Sequence, residues 1–150
     1  MQAARLTSLF LLVVLVSINT TALADFTKIS VQEAYQLASQ GKVMLIDIRA
    51  ETEWQDSGVA PLAKTVSMHQ EGGIAAFEKE LTELLDGDKS KPIALICAGG
   101  VRSDRMQHYL KQKGFSSVAD VKEGMLGGWV TKGWIDQGLP VVTYSNYKNK

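Results

Sequence analysis

Along this chain the spacing of apolar positions switches between short unbroken runs and a repeat of every third or fourth residue. Two runs are nearly continuous: Val43-Met44-Leu45-Ile46-Asp47-Ile48, and Ile93-Ala94-Leu95-Ile96-Cys97 opened by Pro92. Runs of strand length without polar alternation predict strands buried on both faces, as in a parallel sheet covered by helices. Phe26 to Ile29, Thr65 to Met68 and Ser117 to Val121 read as further short strands.

Helical spacing fills the intervals. Ser30-Val31-Gln32-Glu33 has the form of a capping box, and Val31, Ala34, Tyr35, Leu37 and Ala38 share one face until Gly41, a suitable C′ residue. Ala50 to Gln55 predicts a short helical turn carrying Glu51, Glu53 and Trp54. Ile74, Phe77, Leu81, Leu84 and Leu85 form the apolar face of a helix whose Glu78, Lys79, Glu80 and Glu83 face solvent. A helix from about Val101 to Lys113, stopped by Gly114, turns Met106, Tyr109 and Leu110 inward. Near the end, a short helix holding Trp134 precedes Gly138-Leu139-Pro140-Val141, and Trp129 and Trp134 are expected to pack rather than bind. Strands alternating with helices in this way predict an α/β fold with a mostly parallel central sheet of about five strands, flanked by helices on both faces.

The chain of 150 residues suits one domain, but its first segment has a different character. Arg5, the apolar run from Leu9 to Val16 and the Ala22-Leu23-Ala24 site together have the form of a secretory signal peptide over 1–24. The run is well short of the roughly 20 residues a membrane span needs. The expected domain is then 25–144, exported and periplasmic in a Gram-negative source, with a flexible polar tail over 145–150. Without Arg5 the net charge is near −1, which gives no reason to expect a nucleic-acid or membrane-surface partner. His69 and His108 lie far apart and only one cysteine is present, so neither a metal nor another cofactor is expected.

That single cysteine is the strongest candidate for chemistry. In an exported protein an unpaired cysteine points to a reactive thiol or an intermolecular bond. Cys97 falls at the end of a buried strand, and Ala98-Gly99-Gly100-Val101-Arg102-Ser103 leads directly into a helix. The carboxyl end of a strand is where open α/β sheets hold their ligands. A glycine-containing turn before a helix start presents converging N–H groups that favour an anion, and an anionic sulfur is the reactive form of cysteine. Asp47 and Arg49 sit at the end of the neighbouring predicted strand, where they would pair and brace the loop.

Three ordered stretches resemble the rhodanese-like domain family. Leu45-Ile46-Asp47-Ile48-Arg49 followed by Glu53-Trp54 is similar to its early D-V-R-x-x-x-E-[WY] pattern. Cys97 to Ser103 is similar to its active-site loop C-x-x-G-x-R-[ST], and Gly124 to Trp134 with Gly138-Leu139-Pro140-Val141 to its closing segment. Ala98 stands where many active relatives carry a basic or polar residue, and Ser57-Gly58-Val59 replaces the usual Gly-His-Ile. The resemblance implies a single-domain sulfurtransferase that carries sulfane sulfur on Cys97 from a small anionic donor such as thiosulfate to cyanide, a thiol or a protein acceptor. In that scheme Ala98, Gly99, Gly100, Val101, Arg102 and Ser103 form the substrate cradle, and Arg102 attracts the anion. Cysteine phosphatases and arsenate reductases use a wider C-x5-R loop. Cys97 and Arg102 have the tighter C-x4-R spacing, which favours sulfur transfer. A non-enzymatic persulfide carrier or thiol-sensing module is the other reading.

Overall fold

A computed structural model describes residues 27–149. The expected leader over 1–24 lies outside the described residues. In chain order the elements are β1 (Lys28–Ile29), α1 (Val31–Ser39), β2 (Met44–Asp47), α2 (Glu51–Ser57), β3 (Lys64–Thr65), α3 (Gly73–Leu84), β4 (Ile93–Ile96), α4 (Val101–Gln112), β5 (Val118–Val121) and α5 (Tyr144–Lys148). The five strands pair in the order β1-β5-β4-β2-β3, every pair parallel. β4 is therefore the central strand, and the chain leaves its carboxyl end at Cys97.

The unbroken apolar runs have the cause that their pattern suggested. Successive residues of β4 point to opposite faces, and both faces are covered. Ala94 and Ile96 pack with α1, α2 and Trp134, whereas Ile93, Leu95 and Cys97 pack with α3 and α4. Phe77 and Leu81 of α3 and Leu110 of α4 are fully buried in that second layer, each contributing about 1.5–3 kcal/mol. α1 starts where the capping pattern placed it, with the Ser30 hydroxyl accepting from the Glu33 N–H at 3.2 Å. The free N–H of Val31 is taken instead by Glu123 from beyond β5, at 3.0 Å.

Four expectations are corrected. The strand expected over Thr65 to Met68 is β3, confined to Lys64–Thr65. As an edge strand with a partner on one side only, it continues as irregular chain that still donates Val66 N–H to Asp47 O and Met68 N–H to Ile48 O. The short helix expected around Trp134 is a turn. Gly127 and Lys132 pair across a tight hairpin closed by Gly128 N–H to Thr131 O, which draws the chain back before a helix can form. Trp134 is fully buried and its indole N–H donates to Pro140 O at 2.9 Å, as packing requires. Trp129, at the hairpin tip, is fully exposed and does not pack.

Of the segment read as a polar tail over 145–150, residues 145–148 belong to α5. Its polar composition concealed Tyr144 and Tyr147, which lie against the core cluster on the α1 side. Tyr144 meets Trp54 at 5.4 Å between ring centroids, and the Tyr147 hydroxyl donates to Ala63 O at 3.0 Å. Among the described residues no helix is long and apolar enough to cross a membrane.

Candidate active site

The turn from β4 into α4 is fixed by backbone contacts that only glycine permits. Gly100 has φ +85°, and a Cβ there would stand 2.0 Å from Lys122 O. Across the turn, a Cβ on Gly124 would stand 2.4 Å from Ala98 O. These close approaches bring the exit of β5 against the loop, where Met125 N–H donates to Cys97 O and Leu126 N–H to Ala98 O, both at 2.8 Å. The loop is thus held from below by the carbonyls of Cys97 and Ala98.

Cys97 Sγ accepts the Gly100 N–H at 3.2 Å and lies 3.3 Å from Ser103 Oγ. Ser103 is fully buried, and its hydroxyl also donates to Gly100 O at 3.1 Å. The cysteine is only 1% exposed, while Gly99 and Val101 above it are open to solvent. Of the cradle predicted from Ala98 to Ser103, one amide and one hydroxyl reach the sulfur. Ala98 contributes its carbonyl to the floor, and Val101 lines the outside.

Arg102 stands at the mouth of the loop, gripped from a second element. Its Nη1 and Nη2 donate to the two carboxylate oxygens of Glu53 at 2.8 and 2.6 Å. Nη1 also lies 2.9 Å from His69 Nε2. The Glu53 carboxylate accepts the Ala50 N–H at the start of α2 as well, at 2.9 Å. Mainly through the hydrogen bonds from Arg102, the Glu53 carboxyl is held down from 4.5 to about 2. Arg102 is raised by the same pair, and negative charge on Cys97 acts in the same direction.

Asp47 and Arg49 do pair, and deeper than the mouth. Both side chains are fully buried, with Arg49 Nη2 2.7 Å from Asp47 Oδ2 and Nε 3.0 Å from Oδ1. The guanidinium also donates to Gly58 O at 2.7 Å and Ser57 Oγ at 2.6 Å, so it ties the carboxyl end of α2 to β2. Glu53 rides on that helix, which connects the buried pair to the position of Arg102. Arg105 and His108 are exposed on α4.

Four features escaped the reading of the chain as letters. Glu53 was visible as a motif residue but not as the partner of Arg102, 49 residues away. Nothing marked His69. Ser103 was read for its amide, whereas its hydroxyl is the group beside the sulfur. Asp120 on β5 is 2% exposed, and burial pushes its carboxyl above the usual aspartate range, with Ser103 acting against that shift. A lone acidic residue inside the apolar run Val118 to Val121 was the available signal.

Residues 30–132 match the family model described as rhodanese-like domain. Among solved structures, the chain is similar to a rhodanese-like domain protein from Staphylococcus aureus, with 26% identity, a TM-score of 0.55, and 77% of this chain and 98% of that one covered. It is also similar to Rv0390 from M. tuberculosis, with 24% identity, a TM-score of 0.60, and coverage of 78% and 97%. A third is the polysulfide-sulfur transferase homodimer from Wolinella succinogenes, with 24% identity, a TM-score of 0.59, and 77% of each chain covered. At 24% identity the last two speak to the fold.

Proposed function

Given that this chain belongs to the rhodanese-like domain family, we propose that it is a sulfurtransferase in which Cys97 carries the sulfur as a persulfide. The observation that carries this reading is the pair of polar groups converging on Sγ, the Gly100 N–H that donates to it at 3.2 Å and the Ser103 hydroxyl 3.3 Å away. Donors fixed around a sulfur favour its anionic forms, thiolate and persulfide, in a site from which water is largely excluded.

With thiosulfate as donor, the Cys97 thiolate attacks the outer sulfur. A new S–S bond forms, the bond to the sulfonate sulfur breaks, and sulfite leaves with the electron pair. An acceptor such as cyanide or a thiolate then attacks the outer persulfide sulfur, and Cys97 departs as thiolate. Arg102, charged at the mouth of the loop, attracts the anionic donor, and Ala98 to Ser103 frame it. Asp47 and Arg49 support the site by fixing α2. The tight cover over Cys97 favours a donor that presents a single terminal sulfur atom. The leader-like segment over 1–24 supports action outside the cytoplasm, and the intact mass of the exported protein tests its removal.

The function is tested by mass spectrometry of the mature protein after thiosulfate or polysulfide, before and after cyanide, beside Cys97→Ser. One added sulfur atom on the wild type, absent from Cys97→Ser and lost to cyanide, is the expected result. Sulfur gained but retained against cyanide and small thiols indicates a carrier that delivers to a protein. No sulfur gained from either donor overturns the proposal.

A further inference from the structure

Asp120 is a buried acid that the proposed chemistry does not use. On β5 the side chains alternate, and Val118 joins the core layer that contains Cys97 and α4. Asp120, two residues on, faces the same side. Its Oδ1 has no hydrogen-bond partner even though the residue is 2% exposed. Ser103 is close enough to influence its charge, yet the Ser103 hydroxyl is engaged with Gly100 O and Cys97 Sγ. That hydroxyl has one hydrogen, which Gly100 O and Cys97 Sγ can each accept, and the unpartnered carboxyl of Asp120, on the same side of the sheet, is a third acceptor that would compete for it.

We propose that Asp120 is a positioning residue for the nucleophile: through the Ser103 hydroxyl, its carboxyl decides whether the Cys97 sulfur receives that single hydrogen. An ionised Asp120 is the strongest acceptor of the three and draws the hydrogen away from sulfur. A neutral Asp120 becomes a donor to Ser103 Oγ, which releases the Ser103 hydrogen to the sulfur. Burial favours the neutral form, and so do the charges of Asp104 from α4 and Glu123 from the turn after β5. Lys28, opposite Asp120 in the β1 register, and Ser103 favour the ionised form. The proton on Asp120 and the negative charge on Cys97 therefore promote each other. This inference rests on the reading of Cys97 as an anionic nucleophile, but its test needs no sulfur donor.

The measurement is the ultraviolet absorbance of the Cys97 thiolate against pH on the full-length protein, with Cys97→Ser as blank. Asp120→Asn preserves shape and fixes a neutral donor next to Ser103. It is expected to move the thiolate titration to lower pH by about one unit. In a Ser103→Ala background the same substitution is expected to move it little. An equal shift in both backgrounds means that Asp120 acts only by its charge through space, and overturns the proposal. So does the absence of a shift with Ser103 intact.

Linkage supplies a second measurement should Asp120→Asn fold poorly. In Cys97→Ser, the carboxyl carbon of Asp120 followed by NMR is expected to titrate at a different pH from the wild type. An unchanged Asp120 titration overturns the coupling. Failure of sulfur loading with these titrations as expected would count against the sulfurtransferase reading alone.

Discussion

Two arginine–carboxylate pairs stand at the ends of neighbouring central strands, and they differ in almost everything but chemistry. Asp47 and Arg49 are 2.7 Å apart with both side chains fully buried. Glu53 and Arg102 are 2.6 Å apart with 29% and 27% of their side chains exposed. The inner pair uses the guanidinium on Asp47, Gly58 and Ser57 and has no access to a ligand. The outer pair also engages both members, but at the rim of the loop that holds Cys97, where the anionic donor proposed above would compete with Glu53 for Arg102. Burial makes the first a fastening of the fold, and partial exposure leaves the second available to chemistry.

Breaking the inner pair should give the largest loss of stability. Arg49→Met preserves bulk but leaves Asp47 as a buried charge without its partner, and is expected to cost about 3–5 kcal/mol in urea unfolding. Arg102→Ala should reverse the pattern. Its stability cost is about 1 kcal/mol or less, because the pair is partly solvated, while the rate of sulfur loading onto Cys97 falls about tenfold or more. If both substitutions lower stability equally, the distinction between fastening and rim is wrong.

A smaller effect concerns pH. The Glu53 carboxyl titrates near 2 when folded, against 4.5 as its ordinary value. A lowered folded value means that its stabilisation is complete above 4.5 and disappears as the pH falls towards 2. Glu53→Gln is therefore expected to be less stable than wild type at pH 7, with the gap closing between pH 4.5 and 2 in thermal unfolding. A gap independent of pH would show that the carboxylate charge contributes nothing. The least change is expected from Trp129→Ser. The fully exposed indole buries no surface in this chain, so its melting temperature should match the wild type, whereas Trp134→Ser should unfold well below it.

How much was readable from the letters depended on the range of the interaction. The runs into Asp47 and Cys97 announced doubly covered strands because covering both faces of a parallel sheet requires apolar residues at every position. The Asp47–Arg49 pairing was readable because two residues of separation on one strand place both on one side. β3 and the Trp134 turn were misread because a two-residue edge strand and a hairpin drawn in by Gly127 and Gly133 depend on neighbours from elsewhere in the chain. Trp129 carried the same letter as Trp134, and only its place at a hairpin tip separates them. The polar spelling after Tyr144 likewise concealed the helix Tyr144–Lys148, seated by Tyr144 and Tyr147.

The sequence by itself determined the strand–loop–helix unit around Cys97, since its apolar run, its glycines and its helix start all act within a few residues of one another. Tertiary structure decided what surrounds the sulfur: Glu53 and His69 on Arg102, and Asp120 behind Ser103, arrive from separate strands and loops through the sheet order β1-β5-β4-β2-β3. Local patterns encode backbone conformation, whereas the charge environment of a site is set by which distant segments fold against it.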